Sequence, residues 1–203
     1  MDTQLIFSII ILITSVIIHE VSHGYVANML GDPTARLAGR LTLNPASHLD
    51  PVGSFLVPLV SFLTGGFIIG WAKPVPYNPY NLSNQRWGTA LVASAGAISN
   101  LFIAVVFGLL LRFSGILGIT SDAFFTLAPL IVLINIMLAV FNLIPIPPLD
   151  GSKVLFSILP YKFREVQTFL ERYWMLLIFF LIFFFWRLVL PLVYLVYQLI
   201  VGA

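Results

Sequence analysis

Long apolar runs, separated by short breaks rich in proline, glycine and polar residues, dominate the chain. A helix crossing ~30 Å of hydrocarbon needs ~20 residues. Leu5–Leu30 supplies one and is closed by Gly31-Asp32-Pro33, a strong helix stop. In Ala35–Pro45, Leu37, Leu41 and Leu43 fall at even spacing around Gly39, which predicts a short strand or β-hairpin. Pro51–Ala72 is uncharged but interrupted by Pro58 and Gly65-Gly66, and Lys73–Arg86 is a polar loop rich in Pro, Tyr and Asn. Gly88–Leu111 and Ala123–Ile144 are further spanning helices, the second stopped by Pro145, Pro147 and Pro148. Lys153–Arg172 is polar and partly amphipathic, and Tyr173–Ala203 is very apolar, with Arg187 in its middle and Pro191 after it.

Composition fixes the solvent. Of 203 residues, 60% are hydrophobic and 9% charged, against about 45–50% and about 25% in soluble domains. The mean hydropathy is +1.03. So few charges cannot cover a water-facing surface, and disorder requires the opposite composition. The predicted fold class is an all-α polytopic membrane protein with about four to five transmembrane helices, a re-entrant segment and a short β-hairpin. Residues 1–203 are expected to form one domain, with a core over about 5–160 and a C-terminal apolar segment over 173–203; no room remains for a second soluble domain of about 100 residues. Met1-Asp2-Thr3-Gln4 has no basic n-region and no small-residue cleavage site precedes His19, so the first run reads as a retained helix and not a signal peptide. The chain has no cysteine, which excludes disulfides, thiolate metal sites and cysteine nucleophiles. A net charge of +2 makes no case for nucleic acid.

The basic residues set a topology. If Pro51–Ala72 spans, Arg36, Arg40 and Arg112 share one side, and Lys73, Arg86, Lys153, Lys162, Arg164 and Arg172 the other. If it dips in and returns, Arg112 stands alone opposite all the rest. The second arrangement satisfies the positive-inside rule. It predicts an external N-terminus and cytoplasmic basic loops in a cell (inner or plasma) membrane. Re-entrant backbone is tolerated only under protein or beside a wet cavity, so a water-containing interior is implied.

The chemistry sits on the first helix, in His19-Glu20-Val21-Ser22-His23. Residues i and i+4 share a helix face, so both imidazoles can reach one ion, and Glu20 beside them can polarise a metal-bound water. A hydrolytic zinc site needs three protein ligands and an open position. The other acids are Asp2, Asp32, Asp50, Asp122, Asp150, Glu165 and Glu171. A carboxylate and two imidazoles inside a membrane helix are functional by default; the rival reading is a polar cluster bonding between helices. Ser8 and Ser15 extend the stripe of His19 and His23, so this face is expected to meet other helices and water.

At Asn142-Leu143-Ile144-Pro145-Ile146-Pro147-Pro148-Leu149-Asp150-Gly151 the sequence resembles the site-2 protease family of intramembrane zinc metalloproteases. That family carries His-Glu-x-x-His on one helix and Asn-x-x-Pro…Asp-Gly at the end of a later one. The likeness extends to Gly39-Arg40-Leu41-Thr42-Leu43-Asn44-Pro45 and Ala95-Gly96-Ala97-Ile98-Ser99-Asn100. The resemblance implies one zinc ion held by His19, His23 and Asp150, with Glu20 as catalytic base, hydrolysing peptide bonds in or near transmembrane segments of membrane proteins. The re-entrant topology supports this, because it brings the ends of the first and fourth apolar segments to one side. Where the family often has Gly-Pro-x-x-Asn, this chain has Gly96-Ala97, which bears on local helix geometry. No inserted PDZ module is present, so the likeness is to a minimal form.

Further roles come from chemistry and resemblance together. Asn142, and after it Asn100, are candidates for holding the oxyanion, against a simple helix-packing bond; Asn135, on the face of Asn142, reads as packing. A substrate helix must unwind before cleavage, and Ala35–Pro45 could pair with it by strand addition or be a surface hairpin. Arg36 and Arg40 read as interfacial anchors. His48 is a possible accessory ligand or a hydrogen-bonded loop residue. Trp71–Tyr77 suits the membrane interface, and Arg187 stays open between snorkelling, pairing and a helix break. The expected partners are a transmembrane protein substrate, the bilayer and a regulatory membrane protein. The rivals are a non-catalytic membrane chaperone or adaptor on the same scaffold, and a metal transporter, which would carry several ionisable sites along a path.

Overall fold

The computed structural model describes residues 3–57, 60, 63, 72–181, 184 and 186–202. The first apolar run folds as helix α1 (Thr3–Met29), since a chain in hydrocarbon must satisfy its own backbone. It stops in a Schellman turn: Gly31 takes φ +106°, Asp32 N–H returns to Ala27 O at 2.9 Å and Gly31 N–H to Asn28 O at 3.3 Å. A single helical turn, α2 (Thr34–Leu37), comes next. Short helical turns at Pro45–His48 and Pro51–Leu56 are opened by the side chains of Asn44 and Asp50. Then come α3 (Gln85–Arg112), capped by Asn84, and α4 (Asp122–Asn142), capped by Ser121. Further helices among the described residues are α5 (Asp150–Ile158), α6 (Arg164–Arg172), α7 (Trp174–Phe180) and α8 (Trp186–Val201).

Among the described residues 3 helices, α1, α3 and α4, are long and apolar enough to cross a membrane, against the four to five anticipated; Val189–Val201 is apolar but shorter. The anticipated hairpin over Ala35–Pro45 is not there. Pro33 starts a helical turn in place of a strand: Leu37 N–H bonds Pro33 O and Ala38 N–H bonds Thr34 O. Gly39 at φ +64° then turns the chain, and among the described residues Arg40–Pro45 has no second strand to pair with. The re-entrant reading of Pro51–Ala72 and the placement of Trp71 lie largely outside the described residues.

Helix α3 is central and packs on α1, α4, α5 and α8. Ala104, Val132, Ile136, Val189 and Val193 form the core between α3, α4 and α8. Ala27, Leu82 and Val92 form another that joins α1, α3 and the preceding loop. The outer faces are apolar: Leu5, Ile6, Ile9, Ile10 and Ile13 of α1 are exposed. Water would penalise this surface and lipid does not. The chain is a membrane protein.

Two arginines mark the ends of α3. At its start, Arg86 donates to the carbonyls of Ser157 and Ile158. At its finish, Arg112 donates to Leu199 O at 3.2 Å. The chain therefore travels from one end of α3 to the other between α5 and the end of α8.

Candidate metal centre

The stripe on α1 is the buried one. Ser15, His19 and His23 are all buried, as helical spacing with small and polar residues on one face predicts. Asp150 opens α5 and is brought back under the end of α4. Gly151 makes this possible: a β-carbon there would collide with the Leu143 and Ile144 carbonyls.

His19 Nε2 lies 3.2 Å and His23 Nε2 3.1 Å from the same oxygen, Asp150 Oδ2. The three ligand atoms lie within 4.8 Å of one another and could hold a metal ion. The other ring nitrogens are tied to acceptors. His23 Nδ1–H donates to Val92 O at 2.6 Å, and His19 Nδ1–H to Asn100 Oδ1 at 2.8 Å. With the rings neutral, as metal ligation requires, those bonds put the proton on Nδ1 and leave both Nε2 atoms as lone pairs facing a carboxylate oxygen. His23 Nε2 is buried with no hydrogen-bond partner among the described residues. Lone pairs gathered around a carboxylate are unfavourable without a cation between them, so the residues fit one. Two imidazoles and one carboxylate are a donor set suited to zinc.

The support continues inward. Asn100 Nδ2 donates to Asn135 Oδ1 at 3.0 Å, and Asn135 Nδ2 donates to Ser15 Oγ at 2.9 Å. The chain Ser15–Asn135–Asn100–His19 thus ties α1, α4 and α3 together behind the site. Lys153 Nζ bonds Asp150 Oδ1 at 3.0 Å, on the oxygen away from the histidines. Burial lowers the Lys153 pKa, but the Asp150 carboxylate more than offsets this and holds it above the usual lysine value.

Glu20, half-buried, accepts the Val75 N–H on Oε2 at 3.0 Å. Asn100 has both ends of its amide engaged, beside His19. Asn142 turns back to its own helix and donates to Leu138 O at 2.9 Å. His48 is buried; its Nε2–H donates to Thr42 O at 2.8 Å, its Nδ1 has no partner among the described residues, and among them it is not in the His19–His23–Asp150 group. Arg36 is exposed, whereas Arg40, expected as an interfacial anchor, is buried and donates to Lys73 O at 2.8 Å.

Several participants carry no polar side chain and escape a motif reading. Val92 contributes a carbonyl and Val75 an amide. Gly96 contributes space: a β-carbon there would lie 2.5 Å from His19 Nε2. Only the glycine inside the Ala95–Asn100 motif signalled it.

Residues 112–185 match the model of peptidase family M50. The chain is similar to YwhC of Bacillus subtilis, named as a candidate zinc metalloprotease, with 38% identity over 82% of this chain and 75% of YwhC. It is similar to Rip2 of Mycolicibacterium smegmatis, named in the same way, with 31% identity over 68% of this chain and 51% of Rip2. A further likeness, to a Thermotoga maritima protein so named, is 32% over 44% of this chain and 19% of that protein. No solved structure matches significantly. The chain belongs to peptidase family M50, the site-2 protease family. Membership places it among the metalloproteases.

Proposed function

We propose that the chain is an intramembrane zinc endopeptidase that cuts peptide bonds in or beside transmembrane segments of other membrane proteins, as in regulated intramembrane proteolysis. The observation that carries this reading is the convergence of two tautomer-fixed Nε2 atoms, His19 and His23, on one oxygen of Asp150, with Glu20 on the same helix.

His19, His23 and Asp150 would hold one zinc ion per chain. When bound, zinc supplies Lewis acidity that polarises a carbonyl and lets water lose a proton near neutral pH. Glu20 takes that proton as the water oxygen bonds to the scissile carbon. It then passes the proton to the amine nitrogen as the C–N bond breaks. The substrate helix has to unwind, because a helix hides its carbonyls in its own hydrogen bonds. Leu41 and Leu43 make no backbone–backbone hydrogen bond among the described residues, and this stretch is the one we assign to receive the unwound chain. Asn142 is our choice for the oxyanion, after turning from Leu138 O.

The reading places the site toward the cytoplasmic side of a cell membrane. In support, Arg86 meets Ser157 and Ile158 at one end of α3, and Arg112 meets Leu199 at the other. That geometry also favours α7 and α8 together as a fourth crossing.

The test is cleavage of single-span substrates by the purified protein with and without a zinc chelator, beside Glu20→Gln. Activity abolished by either supports the reading, and proteolysis surviving Glu20→Gln overturns it. Zinc content unchanged in Asp150→Ala refutes the third ligand.

A further inference from the structure

Each histidine of the motif is oriented by a buried acceptor, whereas Glu20 is oriented by a main-chain donor, the Val75 N–H. A carboxylate on a two-carbon stem has several rotamers, and a fixed donor selects one. Val75 is flanked by Pro74 and Pro76, which have no N–H, so it is the one amide this short strap can offer there. Its side chain shares with Leu41 the notch left by Gly24, one turn along α1 from Glu20: a β-carbon on Gly24 would lie 2.7 Å from Val75 Cγ1 and 2.6 Å from Leu41 Cδ2.

The strap is held on both sides of Val75. Before it, Arg40 Nη2 donates to Lys73 O at 2.8 Å and to Pro74 O at 3.4 Å, and Lys73 N–H bonds His48 O at 2.9 Å. After it, Asn78 N–H bonds Asp32 Oδ2 at 2.6 Å. Arg40 is the unusual member. It is 8% exposed and makes no ion pair among the described residues; there its guanidinium bonds run to the two carbonyls just before Val75. A buried guanidinium without a counter-charge is costly, which a plain surface loop does not require.

We propose that Arg40 is a positioning residue for the catalytic base: it holds the Lys73 and Pro74 carbonyls so that the Val75 N–H is aimed at Glu20 and fixes the carboxylate that accepts the proton from water. This rests on the reading of Glu20 as the base. The strap is therefore part of the active site, although it lies outside the motifs.

The experiment uses the full chain with zinc and a single-span substrate. It compares Arg40→Ala, Arg40→Lys, Val75→Pro and the double variant Arg40→Ala/Val75→Pro, each checked for zinc content. Because a misplaced reacting group costs up to about a hundredfold, Arg40→Ala and Val75→Pro should each lower kcat about ten- to a hundredfold, with zinc retained and KM little changed. Arg40→Lys should recover part of the loss. The double variant should be no slower than Val75→Pro alone, since both act through one N–H. Additive losses, an unchanged kcat or a faster enzyme would each overturn the proposal. A readout independent of turnover is amide hydrogen exchange in the unmutated protein and Glu20→Ala. Protection of Val75 in the first and its loss in the second is expected, and equal exchange in both overturns the proposal even if the strap variants do not fold. Cleavage that survives Glu20→Gln defeats the protease reading instead, and leaves the exchange result standing as a separate finding.

Discussion

Gly96 of α3 and His19 of α1 are in direct contact: a β-carbon at position 96 would lie 2.5 Å from both Nε2 and Cε1 of the imidazole. The rest of α3 favours any residue that builds helix, and Ala exceeds Gly there by about 1 kcal/mol. The glycine therefore serves the ring and not the helix. Gly96→Ala should push the imidazole off its line to Asp150. Zinc affinity, measured by competition with a chelator, should fall about tenfold or more, as for loss of an orienting contact. Helix content should be unchanged. Wild-type affinity in this variant would mean that the ring has room to shift.

The carboxamide chain behind His19 separates metal binding from stability. Asn100→Ala removes the acceptor of His19 Nδ1–H and should weaken zinc about 10–100-fold. Asn135→Ala leaves His19 its acceptor but strands Asn100 Nδ2 and removes a donor to Ser15. A buried polar group left unpaired costs about 1–3 kcal/mol. This variant should therefore melt earlier with its zinc affinity nearly intact. Thermal unfolding with and without chelator distinguishes the two, and identical effects on zinc would argue against the chain.

How much the sequence made legible depends on where the chemistry resides. His19 and His23 are costly in a membrane helix, so their positions stand out; Asp150 is one acid among several until the Asn142–Gly151 motif is matched by resemblance, and the structure brings the three together. Gly31-Asp32-Pro33 marked the end of α1 within two residues. Alternating leucines over Ala35–Pro45 describe one face without revealing whether a partner strand exists, so they point to a strand where the structure has a helical turn. The positive-inside pattern treats every arginine as an anchor, whereas the reach of Arg40 to the Lys73 carbonyl is a tertiary fact. The contributions of Val75 and Val92 are main-chain groups, which nearly every residue has, so no side-chain pattern could single them out.

Asp32, in the sequence part of a helix stop and one of the acids beside the motif, is the hub of the loop beyond α1. Fully buried, it accepts from Thr34 N–H and Oγ1–H, from Asn78 N–H and from Asn81 Nδ2. Burial pushes its carboxyl up, but the bonds donated by Thr34, Asn78 and Asn81 more than offset that and hold it below the usual carboxylate range. A carboxyl depressed in the folded state stabilises fully above its unfolded pKa, about 3.9, and the stabilisation is lost as pH falls through the folded value. The stability difference between wild type and Asp32→Asn should thus be constant from neutral pH to about 5 and shrink below about 4. Unfolding in detergent at both pH values checks this, and a difference that grows in acid would contradict the sign.

Arg86 predicts how far the metal site depends on a contact at the opposite end of a short helix. The Ser157 and Ile158 carbonyls that it binds end α5, where helix carbonyls lack intrahelical partners and the helix dipole favours a cation. Helix α5 has 9 residues, and isolated helices shorter than about 12–15 residues are marginal in water, so its stability comes from what holds it to α3. Asp150 is its first residue. Freeing the far end should let the near end move, and Asp150 would no longer face both histidines. Arg86→Ala should destabilise the protein by about 1.5–3 kcal/mol, the range for a hydrogen bond to a charged group. It should also weaken zinc, although Arg86 touches none of the ligands. Arg86→Lys, which supplies the charge without the fork, should fall between. Zinc titration of the three proteins, alongside their melting temperatures, decides the matter: lower stability with unaltered zinc affinity would show that Gly151 and Lys153 hold Asp150 in place without help from the far end of the helix.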